Sequence, residues 1–218
     1  MMKIKWLSPI IMGLVLSITS VWAEQETSKQ PSSAQIIQWL SNLDESNANP
    51  KQAIDIERTE EIRLDSGEQA YLSAVYFENS ARNYAVGYIL TRPSLKESRI
   101  LNAGGQSNHF NIEYVHLPKK QHAIALIEME SAGSGQGYIS LSKSINYIQD
   151  WQVKTIHEVD FGSNGGARDD CKESYDNLAY LNIVDQYILE TTVEANGCSD
   201  KKPKDYKVSS RFIAIQIP

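Results

Sequence analysis

From about Ile54 to the last residue, the chain is written as short runs rich in tyrosine, valine and isoleucine, separated by polar turns, with no alternation between strand-like and helix-like segments. A parallel sheet needs a helical crossover between successive strands, so a chain without such crossovers is restricted to antiparallel architectures. Residues 70–77 and 84–90 read as one hairpin around a polar loop, and residues 110–117 and 122–130 as a second around Pro118. Residues 137–141 and 151–159 continue the meander. Residues 178–183 and 187–193 form a third hairpin turning at Asp185, and residues 208–217 a terminal strand.

About ten strands in an antiparallel meander must hide one face of each strand, either by closing or by folding into two facing sheets. The expected fold is therefore mainly β, an antiparallel two-sheet sandwich-like domain, with a barrel or propeller-like form as the alternative. Glycine-containing hairpin units are loosely alike but show no constant period, and the chain is short for four complete blades.

One short helix is expected near residues 33–43. Ser32 or Ser33 caps it, and Gln35 stands three residues after Ser32, the spacing of a capping box. Ile36, Ile37, Leu40 and Leu43 fall on one face, with Trp39 at its margin. Asn47, Asn49 and Pro50 follow as turn formers. So short a helix is not stable alone, and its apolar stripe needs a surface to dock on.

Ahead of it, Lys3 and Lys5 precede a mostly apolar run from Leu7 to Val21, and Val21-Trp22-Ala23 has the small-x-small form of a cleavage site. Residues 1–23 read as a secretory signal peptide, residues 24–32 as a flexible lead-in, and residues 33–218 as a single β-rich domain. The apolar run is shorter than the roughly 20 residues of a membrane span. The expected location is periplasmic or secreted, with no stable membrane insertion after cleavage.

Without Lys3 and Lys5 the chain carries 19 basic and 27 acidic side chains, a formal charge of −8. That balance disfavours nucleic acid and anionic lipid as partners. Cys171 and Cys198 make an even pair, which in an oxidising compartment reads as a disulfide. The loop closed would be about 27 residues, and its closure contributes roughly 2–4 kcal/mol.

Complete catalytic motifs are missing. Gly104-Gly105-Gln106-Ser107-Asn108-His109 departs from a nucleophile elbow because His109 occupies the place of the second glycine. The glycine-rich run 132–137 lacks the Lys-Ser/Thr ending and following helix of a phosphate loop. In the second hairpin, a turn at Lys119-Lys120 sets His116 opposite Ala123, Glu113 opposite Leu126 and His109 opposite Glu130. Phe110, Ile112, Tyr114, Ala125, Ile127 and Met129 then share a core-directed face. The other face gathers His109, Asn111, Glu113, Glu128 and Glu130. Of these, His109, Glu128 and Glu130 are a candidate transition-metal or acid–base set, and a solvent-facing sheet surface is the competing reading.

The polar segment 160–170 reads as a long loop ahead of Cys171. Asp160, Asn164, Asp169 and Asp170 are oxygen donors of the kind calcium takes, but Gly162 and Cys171 break the EF-hand pattern. No motif requires a cofactor. As a loop pinned by a disulfide, the segment is a candidate binding edge, with Arg168 as its electrostatic anchor and Tyr175 or Tyr180 as aromatic contacts. The function expected is non-catalytic binding of another exported protein, for instance as an inhibitor or immunity-type protein that neutralises an envelope-directed enzyme. The alternatives are a periplasmic hydrolase, metal-dependent or otherwise, built on either candidate set, and an accessory component of an envelope assembly that docks through the helix stripe.

Overall fold

The computed structural model describes residues 29–41, 53–78, 80, 85–103, 105–118, 120–135, 138–163, 175–196 and 205–218. Helix α1 (Ser33–Gln38) opens the described chain, followed by a meander of eleven strands. The first four are β1 (Ile54–Arg63), β2 (Gln69–Phe77), β3 (Val86–Arg92) and β4 (Glu97–Ala103), paired in chain order as one antiparallel sheet. A second, seven-stranded sheet runs β5 (Phe110–Val115), β6 (Ile124–Gly135), β7 (Tyr138–Gln149), β8 (Gln152–Ser163), β9 (Tyr175–Val184), β10 (Tyr187–Asn196) and β11 (Asp205–Ala214), also in chain order. The protein is thus mainly β, with two antiparallel sheets not closed into a barrel.

The capping box forms as the sequence demands. The Ser32 hydroxyl accepts from the Gln35 backbone N–H, and the Gln35 side chain accepts from the Ser32 N–H. The helix is shorter than the expected 33–43, because the backbone switches at Trp39 to a strand-like bridge. Ser98 N–H donates to Trp39 O at 2.8 Å, and Ser41 N–H donates to Ser98 O at 3.0 Å. Leu43 lies outside the described residues.

Strand β2 shows why the four-stranded sheet is apolar on both sides. Its even residues Ala70, Leu72 and Ala74 join Tyr88, Leu90, Phe110, Ala125, Ile127 and Met129 in a core between the two sheets. Its odd residues Val75 and Phe77 join Ile36, Ile89 and Ile100 beneath the helix. Of the helix stripe, Ile36 and Leu40 are covered by the protein's own sheet, while Ile37 is exposed. At one end of the inter-sheet core, Trp151 receives the guanidinium groups of Arg92 and Arg99, 5.0 and 4.6 Å from its ring centre.

A third core lies on the opposite face of the seven-stranded sheet. Val115, Leu117, Ile124, Leu126, Ile145 and Tyr147 pack there with Leu181, Ile188 and Ile215. The face of the second hairpin opposite Phe110 is consequently not a solvated surface along its length, as the sequence suggested. The physical reason is that β9 pairs with β8 over only two residue pairs, Gly162 with Asn177 and Ser163 with Asp176. Strands β9, β10 and β11 then leave β8 as a separate ribbon, each neighbouring pair matched over ten residues. Gly162 permits the branch: a Cβ there would stand 2.2 Å from the Ile139 carbonyl oxygen.

Candidate functional site

The register of the second hairpin is the one expected, with Glu113 opposite Leu126 and Phe110 opposite Met129. Glu130 N–H donates to His109 O at 3.0 Å, which continues the same alignment. Tyr114 keeps the expected face, opposite Ala125, but stands exposed at its margin, its hydroxyl donating to Glu61 O of β1 at 3.3 Å. Of the candidate set built on this hairpin, Glu128 and Glu130 stay close enough to share one lysine, Lys143. Glu128 lines a depression of about 240 Å³ with Asn111, Glu113 and Leu181. His109 lines another, with Glu57, Arg58 and Asn108. Glu130 borders a third, between the sheets, while its carboxylate faces Lys143 on the other side of β6.

Lys143 supplies the cation that two of these carboxylates face. Its Nζ lies 3.8 Å from Glu128 Oε1 and 3.8 Å from Glu130 Oε2, and 5.7 Å from the ring centres of Phe161 and Tyr180. Among the described residues, no group of three or more His, Cys, Asp or Glu is placed to hold a metal ion.

The second candidate set is only partly within view. Asp160 is not in a loop: it belongs to β8 and pairs with Ser142 of β7. The expected strand over 137–141 is correspondingly longer, running as β7 to Gln149 and turning at Asp150. Asn164, Arg168, Asp169, Asp170, Cys171 and Cys198 lie outside the described residues, as do the calcium set and the disulfide that depend on them. Tyr175 opens β9, paired with Asn196. The signal segment 1–23 also lies outside. Among the described residues, no helix is long and apolar enough to cross a membrane.

Sequence reasoning missed a chain of polar contacts inside the ribbon. Glu190 is nearly buried, with Arg211 Nε and Nη2 donating to its two oxygens at 2.9 Å each and His157 Nε2 2.5 Å from Oε2. Arg211, and then His157, hold the Glu190 carboxyl below the usual carboxylate range against the opposing effect of burial. This chain ties β8, β10 and β11 together. A histidine oriented by a carboxylate is half of a nucleophilic triad, but among the described residues no serine or cysteine hydrogen-bonds to His157. The alternation of Glu190 with Ile188, and of Arg211 with Ile213, was the available signal.

Among the described residues, most of the exposed large apolar side chains lie on the outer face of the same ribbon. Register places Leu178, Tyr180 and Val184 of β9, Tyr187 and Leu189 of β10, and Tyr206, Val208 and Phe212 of β11 on one side. Of the twelve large apolar side chains exposed among the described residues, seven are on this face, each 41–66% accessible. Beside it, β11 forms the end of its sheet, with one edge unpaired among the described residues. Tyr180, expected as an aromatic contact, lies here. Compared with protein-family models, curated proteins and solved structures, the chain matches none.

Proposed function

We propose that this chain is an exported, non-catalytic binding module that grips another exported protein on the outer face of β9–β11, in the manner of an inhibitor or immunity-type protein. The observation that carries this reading is the seven-residue apolar face beside the edge of β11 that no described strand pairs with. Contiguous apolar patches of this kind mark interaction surfaces. An unpaired ten-residue strand is a template to which a partner's extended segment adds, with main-chain hydrogen bonds for affinity and alternate side chains for specificity.

The partner is a basic protein. The chain's formal charge of −6, or −8 without the first 23 residues, speeds encounter with a positively charged surface and disfavours an acidic one. Basic enzymes directed at the envelope fit that description. The experiment is affinity capture from an envelope extract with the mature protein, run beside the variant Phe212→Asp. The reading expects a basic exported protein retained by the first and lost by the second. Equal retention by both, or no partner for either, overturns it.

A further inference from the structure

The outer edge of β11 and the apolar face beside it are built from the same residues. Ile215 N–H donates to Gln186 O at 2.9 Å, so these two form a hydrogen-bonded pair. In an antiparallel ladder such pairs alternate with pairs that exchange no bond. The β10–β11 register runs unbroken from Tyr187 opposite Ala214 to Asn196 opposite Asp205. Counting back from Ile215, the odd residues of β11 therefore spend their backbone groups on β10. Tyr206, Val208, Ser210, Phe212 and Ala214 turn theirs to the edge that no described strand pairs with. Of these, Tyr206, Val208 and Phe212 are 63–66% exposed on the apolar face.

Charge along this edge is sorted by side. On the face opposite the apolar one, β11 carries Lys207 and Arg211 with Ser209 between them. Their acids, Glu194 and Glu190, stand on β10, inboard of the edge. Arg211 spends Nε and Nη2 on Glu190, which leaves its Nη1 without an acceptor among the described residues. A strand laid outside β11 has these two cations as its immediate neighbours on that face. Opposite charges directly across a strand pair stabilise it, and like charges destabilise it.

We propose that this edge takes up an extended segment of the partner as an added antiparallel strand, with apolar side chains opposite Tyr206, Val208 and Phe212 and carboxylates opposite Lys207 and Arg211. This rests on the reading of the outer face as a docking surface and names what docks there. The partner's net positive charge speeds encounter, whereas the two carboxylates fix the register of its strand. From its N-terminal end the segment reads apolar, acidic, polar, polar, apolar, acidic, apolar.

The probe is a peptide of that pattern, acetyl-Val-Glu-Thr-Thr-Val-Glu-Val-amide, titrated into the mature protein and followed by backbone amide shifts. The expected result is saturable binding with the largest shifts at Val208, Ser210 and Phe212. Replacing both glutamates by lysine should weaken binding about fivefold or more. Lys207→Glu, at an exposed position, should narrow that difference. N-methylation of the three valines, whose N–H groups face β11, should abolish binding, and N-methylation of the two glutamates, whose N–H groups face away, should leave it. Ser210→Pro removes one outward N–H and no bond to β10, and should also abolish binding. Ser210→Ala should bind as the parent does.

No saturation, or binding indifferent to valine N-methylation and to Ser210→Pro, overturns strand addition. Equal affinity for the lysine peptide overturns the charge pattern. Shifts along the edge that grow with protein concentration alone assign it to a second copy of this chain and overturn the proposal as well. Capture with Phe212→Asp tests the docking face separately. A partner held by the parent and lost by that variant, beside a peptide that fails, keeps the face and removes the strand.

Discussion

Tyr187 and Phe212 meet edge to face across β10 and β11, ring centres 6.2 Å apart and planes at 83°, on a surface where both remain about half exposed or more. Such a pair gives a rigid aromatic platform at little conformational cost, the kind of group that dominates interface energies. It contributes little to the fold itself, since exposed substitutions usually change stability by no more than about 0.5 kcal/mol. Phe212→Asp should therefore leave the thermal midpoint close to that of the parent, as followed by circular dichroism, while removing partner binding. A collapse of the fold would mean that the ring belongs to the core.

Gly162 should tolerate no side chain. Alanine there brings Cβ against the Ile139 carbonyl, a backbone atom that cannot swing aside. Gly162→Ala is expected to cost about 1–3 kcal/mol in denaturant unfolding, with exchange protection lost first at Leu181 and Ile188. An unchanged unfolding midpoint would show that the branch between β8 and β9 is not held at this point.

Glu190 sets an acid limit on the ribbon. Its carboxyl is held below the ordinary 4.5 by Arg211 and His157, so the stabilisation is complete above about pH 4.5 and is lost as pH falls through the lowered folded value. Glu190→Gln should reduce stability at neutral pH by about 1–3 kcal/mol, and should flatten the fall of stability below pH 4.5. Parallel acid profiles for the two proteins would contradict this assignment.

Trp151 joins the β7–β8 turn to the four-stranded sheet through Arg92 and Arg99. Each cation–ring contact contributes about 0.5–1 kcal/mol where solvent reaches it. Trp151→Leu should lower stability by about 1–2 kcal/mol, and Arg99→Met added to it should cost little more. Additive losses in that double-mutant cycle would show that the ring and the guanidinium act separately.

The exported reading also makes a chemical prediction. Mature protein from an oxidising compartment should weigh two hydrogens less than its reduced form, with Cys171 joined to Cys198. Two free thiols in that preparation would contradict the pairing.

What the sequence disclosed was local. Ser32 and Gln35 announced the helix start because a capping box needs only four residues. Glu113 faces Leu126 because alternation and the central position of the 116–123 connection set register without help from elsewhere. Strand β1 escaped detection because its edge position lets it carry Asp55, Glu57, Arg58, Glu60, Glu61 and Arg63, which hide the alternation of its apolar residues. The length of β7 was masked by serines that face a cleft. The third core was illegible because it depends on contacts between Leu126 and Leu181, far apart in the chain. The unbroken apolar run from Ala123 to Ile127 was its one trace, since a strand buried on both faces loses its alternation.

The most direct test places a photo-crosslinking residue at Phe212, and a matched control at Tyr76, exposed on the four-stranded sheet. Both proteins are irradiated in the envelope compartment. The account predicts an adduct with a basic exported protein from position 212 and none from position 76, competed away by excess unlabelled mature protein. Equal adducts from both positions, or only a dimer of this chain from position 212, would contradict it.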